Sequence, residues 1–278
     1  MHLLIIFSTL SAAYLYRYFW TPSTAPWGVR WHKTLFAFLF PPLLIFMTAI
    51  ALLYMGPQGQ MGGIQTGCLS YVISLGYLAI FAVLCIKLAR QGWQSVKLAR
   101  SYPLVNIGGK NIRLLTTKSL FAGQIGFWQP ELVVSEGLLE TLSEEHLATV
   151  FAHEQGHYHY RDTFWFFWLG WIRNCTAWLP QSHALWQELL VLRELRADAY
   201  AAAQVDRILL AESLLYVAST PFVESEICCA ALGSSGVDRL EQRIEALLGQ
   251  SASEEINTTF SYGLLLAFLP LITVVFHS

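Results

Sequence analysis

Thr141-Leu142-Ser143-Glu144-Glu145-His146-Leu147-Ala148-Thr149-Val150-Phe151-Ala152-His153-Glu154-Gln155-Gly156-His157 is the stretch from which the rest of the chain can be read. Thr141 to Glu144 has the capping-box pattern of a helix start, with Glu144 and Glu145 in the first turn. Leu147, Val150 and Phe151 recur at helical spacing and supply a core face. His153 and His157 are four residues apart, so a helix sets both imidazoles on one face, where they can reach a single zinc ion. Glu154 stands beside them, placed to take a proton from water at that ion. The bland alternative is a polar pair on a half-exposed helix, so the setting of the motif has to decide.

Composition supplies the first part of that setting. The chain of 278 residues is 55% hydrophobic and 13% charged, with mean hydropathy +0.45. Soluble domains carry about 25% charged residues. The deficit is uneven: residues 1–88 carry only Arg17, Arg30, Lys33 and Lys87, and every acidic residue lies beyond them. The front third therefore reads as membrane and the remainder as a water-facing domain. A net charge of −2 gives no sign of nucleic-acid binding. Cys68, Cys85, Cys175, Cys228 and Cys229 show no C-x-x-C spacing and read as reduced packing residues.

Four segments have the length and apolarity to cross about 30 Å of hydrocarbon: Leu3–Trp20, Leu35–Met55, Cys68–Leu88 and Phe260–Phe276. The first lacks the basic start of a signal peptide and continues through Tyr14, Tyr16, Tyr18, Phe19 and Trp20, which suits a retained interfacial anchor. Arg17, Arg30 and Lys33 flank the first loop, Gly56–Gly67 is uncharged, and Lys87, Arg90, Lys97 and Arg100 follow the third span. The bias toward basic cytoplasmic loops then sets the amino terminus outside and the domain after residue 88 in the cytoplasm. Phe164–Leu179 is short and interrupted by Arg173 and Asn174, so it is expected in the interface or against the spans, leaving the site near the membrane surface.

After Pro103 the pattern shortens. Ile112–Thr117, Leu120–Ile125 and Glu131–Ser135, punctuated by Gly108-Gly109, Gly123 and Pro130, read as a small sheet. Further helices are expected over Ser182–Ala203, Arg207–Ser219 and Ser235–Leu248. A zinc site with an open position for water needs a third protein ligand. Glu194 is the leading candidate, with a salt bridge to Arg193 or Arg196 as its alternative role and Glu188 as the fallback ligand. Asp198 lies one turn beyond Glu194, and Asp162 five residues beyond His157; each could hold the outer N–H of an imidazole. His146 is about 10 Å from His153 along the helix axis, and His159 projects away from His157, so both are read as structural. Tyr158, Tyr160, Arg239 and Arg243 stay open as the group that stabilises the oxyanion.

Over roughly residues 100–250 the chain resembles the BlaR/MecR-type integral membrane zinc metallopeptidases, and more distantly the HtpX-like ones, both gluzincins. The resemblance rests on Pro130-Glu131-Leu132-Val133-Val134-Ser135, Gly137-Leu138-Leu139, the run Leu142 to Asp162, Glu194-x-x-x-Asp198 and Arg243-Ile244 before Leu247-Leu248. It implies one Zn2+ on His153, His157 and Glu194, with Glu154 as general base. It also implies that Leu120–Gly126 is an edge strand, where Phe121, Ala122 and Gly123 bind substrate. Receptors of that type carry an extracellular sensor domain after the last span. This chain ends two residues past Phe276, so direct antibiotic sensing is not expected of it, and a separate sensor or regulator protein stays open as a partner.

The expected fold is therefore α+β. Residues 1–88 form a membrane domain with three transmembrane helices, and 257–278 a fourth. Residues 89–256 form a mainly helical, zincin-like cytoplasmic domain with a small sheet. The expected function is an endopeptidase of a prokaryotic plasma membrane that cuts a regulator or membrane protein. The alternative is a zinc-binding receptor or scaffold of the same fold that signals by conformation.

Overall fold

The structure, a computed structural model, describes residues 2–57, 60–61, 64–65, 68–219, 237–249 and 262–276. Its helices are α1 (His2–Tyr18), α2 (Trp27–Met55), α3 (Cys68–Ser101), α4 (Glu136–Thr141), α5 (Glu144–His159), α6 (Asp162–Cys175), α7 (Ser182–Ala202), α8 (Arg207–Ser219), α9 (Val237–Leu248) and the single turn α10 (Leu269–Ile272). Its strands are β1 (Gln60–Met61), β2 (Ile64–Gln65), β3 (Leu104–Ile107), β4 (Lys110–Leu115), β5 (Ala122–Ile125) and β6 (Glu131–Ser135). The chain divides into two compact units. One comprises Met1–Lys87, Gly170–Leu189 and Ile256–Ser278; the other comprises Leu88–Leu169 and Leu190–Glu255.

In the first unit α1 packs along α2, and the apolar stretch from Tyr262 packs on α2 as well. Among the described residues two helices, α2 and α3, are long and apolar enough to cross a membrane, in place of the four expected spans. The reason is helix length. At about 1.5 Å per residue, the 17 residues of α1 reach about 25 Å, short of about 30 Å of hydrocarbon. The expected last span is broken into tight 3-10 turns around α10, with Pro270 inside it; Phe260 lies outside the described residues. Arg17 also departs from expectation. It is fully buried, donating to the Phe38 carbonyl (3.0 Å) and to Ser182 Oγ (3.4 Å) beneath the Phe38 ring, so it holds this unit together instead of marking a loop. Cys68, Cys85 and Cys175 are free thiols; Cys228 and Cys229 lie outside the described residues.

The second unit is built on a four-stranded sheet of order β3-β4-β6-β5. β3, which the sequence reading did not anticipate, pairs with β4 through Gly108 and Gly109, both at positive φ (58° and 78°). A two-residue hairpin turn of this kind favours glycine at both positions. β4 and β6 run parallel, and β5 lies antiparallel at the edge, with Ala122 opposite Val134 and Gly123 opposite Val133. One sheet face buries Leu115, Phe121, Ile125 and Val133 against Ala99 at the end of α3. The other buries Ile112, Leu120 and Val134 against Leu138, Leu142 and Phe151. Phe151 belongs to α5, so this second core fixes the motif helix on the sheet.

Candidate metal centre

Ser143 caps α5, its side chain accepting from the His146 backbone N–H. The cap is therefore two residues later than the Thr141 pattern suggested. Thr141 ends α4, and Leu142 between the two helices is extended (φ −90°, ψ 140°). From this start α5 presents His153, Glu154 and His157 as buried side chains on the flank that meets α7. Gly156 lets α7 come close. A Cβ there would stand 3.0 Å from Ala197 Cα and 3.2 Å from its carbonyl oxygen, tighter than ordinary contact. Ala197 lies between Glu194 and Asp198, so this approach brings both carboxylates to the two imidazoles.

His153 Nε2 and His157 Nε2 lie 3.1 Å apart, with Glu194 Oε2 3.4 Å from the first and Glu194 Oε1 3.7 Å from the second. One atom from each of the three residues falls within 4.8 Å of the others. Behind the rings, Asp162 Oδ2 lies 2.7 Å from His157 Nδ1, and Asp198 Oδ1 lies 2.8 Å from His153 Nδ1. An imidazole carrying its proton on Nδ1, toward the carboxylate behind it, would present its Nε2 lone pair to the other ring and to Glu194. Two lone pairs and a carboxylate facing inward at this range repel unless a cation sits among them. Ligands about 2.0–2.1 Å from one tetrahedral zinc are about 3.3 Å apart, so the donor set fits a metal of that size. Glu154 completes the cluster, with a buried Oε2 that has no hydrogen-bond partner among the described residues.

A layer of arginines surrounds these donors. Arg243, from α9, donates Nε to Asp198 Oδ2 (2.7 Å) and Nη2 to Oδ1 (2.8 Å), and its Nη1 stands 3.4 Å from Glu194 Oε2. Arg196 donates to Asp162 Oδ1 and lies over the Tyr160 ring. Arg193 donates to Glu194 Oε1 through Nε (2.9 Å) and Nη2 (2.5 Å). Burial works to raise the Glu194 carboxyl, but the charges of Arg193, His157 and Arg243 with the His153 contact outweigh it, and its pKa falls well below the ordinary value. Asp198 is also lowered, its burial outweighed chiefly by Arg243. Burial works against a charged His153, yet Asp198 and Glu194 prevail and raise its pKa to about 9. The cluster attracts positive charge at the place where a metal fits.

Other sequence candidates fall elsewhere. Glu188 pairs with Arg30 at 2.6 Å and is not in the cluster. His146 contacts Ser143 Oγ (2.7 Å) and the Tyr216 ring, His159 stacks on Tyr200, and His183 contacts Gln187. Among the four oxyanion candidates, Arg243 and Tyr160 are engaged as above, Tyr158 is exposed, and the side chain of Arg239 lies outside the described residues.

Of the three expected substrate contacts, Phe121 is turned inward. Its ring is buried in the core, its carbonyl accepts from the Ser135 N–H, and its N–H donates to Ser135 Oγ. Because antiparallel pairing alternates, Ala122 and Gln124 direct their backbone groups to the open edge, and Gly123 faces β6. Gln124 Nε2 also donates to the Glu154 carbonyl (3.4 Å), which sets this edge beside the motif helix.

The arginine layer is what the sequence reading missed as a layer. Arg196 and Asp162 are 34 residues apart, and Arg243 and Asp198 are 45 apart, so no local spacing announces either pair. Compared with known proteins, the chain matches the family model described as BlaR1 peptidase M56 over residues 69–247. A search of the curated proteins finds no match.

Proposed function

This chain belongs to the BlaR1 peptidase M56 family, which makes it a membrane-associated metallopeptidase acting on protein, and we propose that it is a zinc-dependent endopeptidase in which Glu154 is the general base. The observation that carries the reading is the convergence of His153, His157 and Glu194 with the unpartnered, buried Glu154 oxygen beside them. His153, His157 and Glu194 would hold the ion, and Asp198 and Asp162 would orient the imidazoles. When bound, zinc lowers the pKa of its water toward ~7 and polarises the scissile carbonyl. Glu154 then takes the proton of the attacking water and returns it to the leaving amine. An extended substrate segment pairs with the outward backbone groups of Ala122 and Gln124, a mode that favours unfolded or loop segments of a regulator or membrane protein.

The two long apolar helices and the family together make this a membrane protein. We place its peptidase unit in the cytoplasm, because Arg30 and Lys33 near the start of α2 and Lys87, Arg90 and Lys97 along the later part of α3 are the basic flanks of an apolar pair. Purified Glu154→Gln protein is expected to hold one zinc per chain while casein hydrolysis falls about 10²–10⁴-fold. A wild type that holds zinc yet cuts neither casein nor itself would overturn the peptidase reading in favour of a receptor that signals by conformation.

A further inference from the structure

Helix α9 is amphipathic, but its buried stripe is unusual. Among its described side chains, from Leu240 onward, only Arg243 and Leu247 are buried, one turn apart. Leu247 is accounted for by packing, in a cluster with Ala152, Ala201, Leu210 and Ala211. Arg243 is not. A guanidinium in that stripe carries a desolvation cost that an aliphatic side chain would avoid, and it is kept only where its partners are in good geometry. Here all three of its nitrogens face carboxylates: two fork onto Asp198, and the third stands by Glu194. A forked arginine–carboxylate pair fixes direction as well as charge.

Both carboxylates touch the metal-binding groups, at opposite sides of His153. Asp198 Oδ1 lies 2.8 Å behind the ring at Nδ1, and Glu194 Oε2 lies 3.4 Å in front at Nε2. The Arg243 fork holds Asp198 against that ring. The same side chain takes the Glu194 oxygen opposite the one that Arg193 holds, so both oxygens of that ligand are fixed.

We propose that Arg243 is a positioning residue that sets two of the three metal-binding side chains, Glu194 directly and His153 through Asp198, from a helix that carries no ligand itself. The inference rests on the metal-site reading above. In this arrangement the ion meets a prearranged site only while α9 is seated, and the guanidinium, not the packing of the helix, supplies the arrangement.

The test uses the full chain in detergent micelles, with Zn2+ affinity measured against a chelator and the visible spectrum of the Co2+ form. Arg243→Met is expected to weaken Zn2+ binding about 10–100-fold and to change the Co2+ bands. Arg243→Lys keeps the charge without the fork and should fall between Met and wild type. Leu247→Ala should lower thermal stability while leaving Zn2+ affinity within about threefold, because it loosens the helix without removing the guanidinium.

Wild-type affinity and bands in Arg243→Met overturn the proposal. If that variant does not fold, wild-type values in Arg243→Lys overturn it, and weakened binding with altered bands supports it. An affinity loss in Leu247→Ala as large as that of Arg243→Met also overturns it, by showing that seating alone matters. A wild type that binds no Zn2+ overturns this inference and the metallopeptidase reading together, whereas tight wild-type binding with indifferent Arg243 variants removes this inference alone.

Discussion

Helices α3 and α5 invert each other's surfaces. Along the apolar part of α3 the hydrophobic side chains face outward, Ile80 at 60% exposure and Val83 at 64%. Around α5 the charged side chains face inward, with Asp198 at 2% and Asp162 at 3%. Either pattern would be costly in a water-soluble domain with a plain apolar core, because water would meet the wrong groups in both. The difference teaches that two environments shape one chain. The outward apolar face of α3 is what a membrane-crossing helix presents, and a network of arginines around the inward carboxylates accounts for the charges at α5.

The comparison can be broken most sharply on α3. Ile80→Lys on a lipid-facing surface should cost about 3–4 kcal/mol in membrane insertion, readable as the inserted fraction in a translocation assay. On a water-facing surface the same change would fall within about 0.5 kcal/mol, and that outcome would remove the lipid half of the contrast.

The inward pattern at α5 depends on how near α7 can come. Gly156→Ala should force the helices apart at Ala197, costing about 1–3 kcal/mol of thermal stability and weakening Zn2+ binding. A variant that melts like wild type with unchanged zinc would show that this approach does not set the site. Asp198→Asn should reduce Zn2+ affinity about 10–100-fold, and Asp162→Asn should match it, since each carboxylate stands behind one imidazole. Unequal losses would sharpen the picture by ranking the two arms.

The smallest effect belongs to a more exposed ion pair, which serves as a reference. Burial works to raise the Glu131 carboxyl, but hydrogen bonds from Arg113 (2.6 Å) and Arg100 (2.7 Å) outweigh it and hold its pKa below 4.5. A lowered folded pKa means the stabilisation is complete above about pH 4.5 and fades as pH falls through the depressed value. Glu131→Gln should cost about 1 kcal/mol or less at neutral pH, since Arg100 is half exposed. The wild-type and variant melting curves should converge in acid; a gap that persists there would assign the loss to packing.

Much of this protein is legible in its sequence, wherever the information is periodic and local. Helical spacing alone sets His153 and His157 on one face, and a four-residue step relates Glu194 to Asp198. Apolar runs mark α2 and α3, and a glycine pair marks a turn ahead of β4. Local signals failed at boundaries, as in the cap at Ser143, and at lengths, as in the 17 residues of α1. Nor do they say that the Phe121 ring packs in the core beneath the sheet.

The larger gap lies in the pairings. Asp162 with Arg196, Asp198 with Arg243 and Arg17 with the Phe38 carbonyl join residues far apart in the chain. A charged residue in a sequence looks the same whether it ends in water or in a buried fork. Folding alone decides which, because the cost of burying each charge is met only by the partner that the packed helices bring to it.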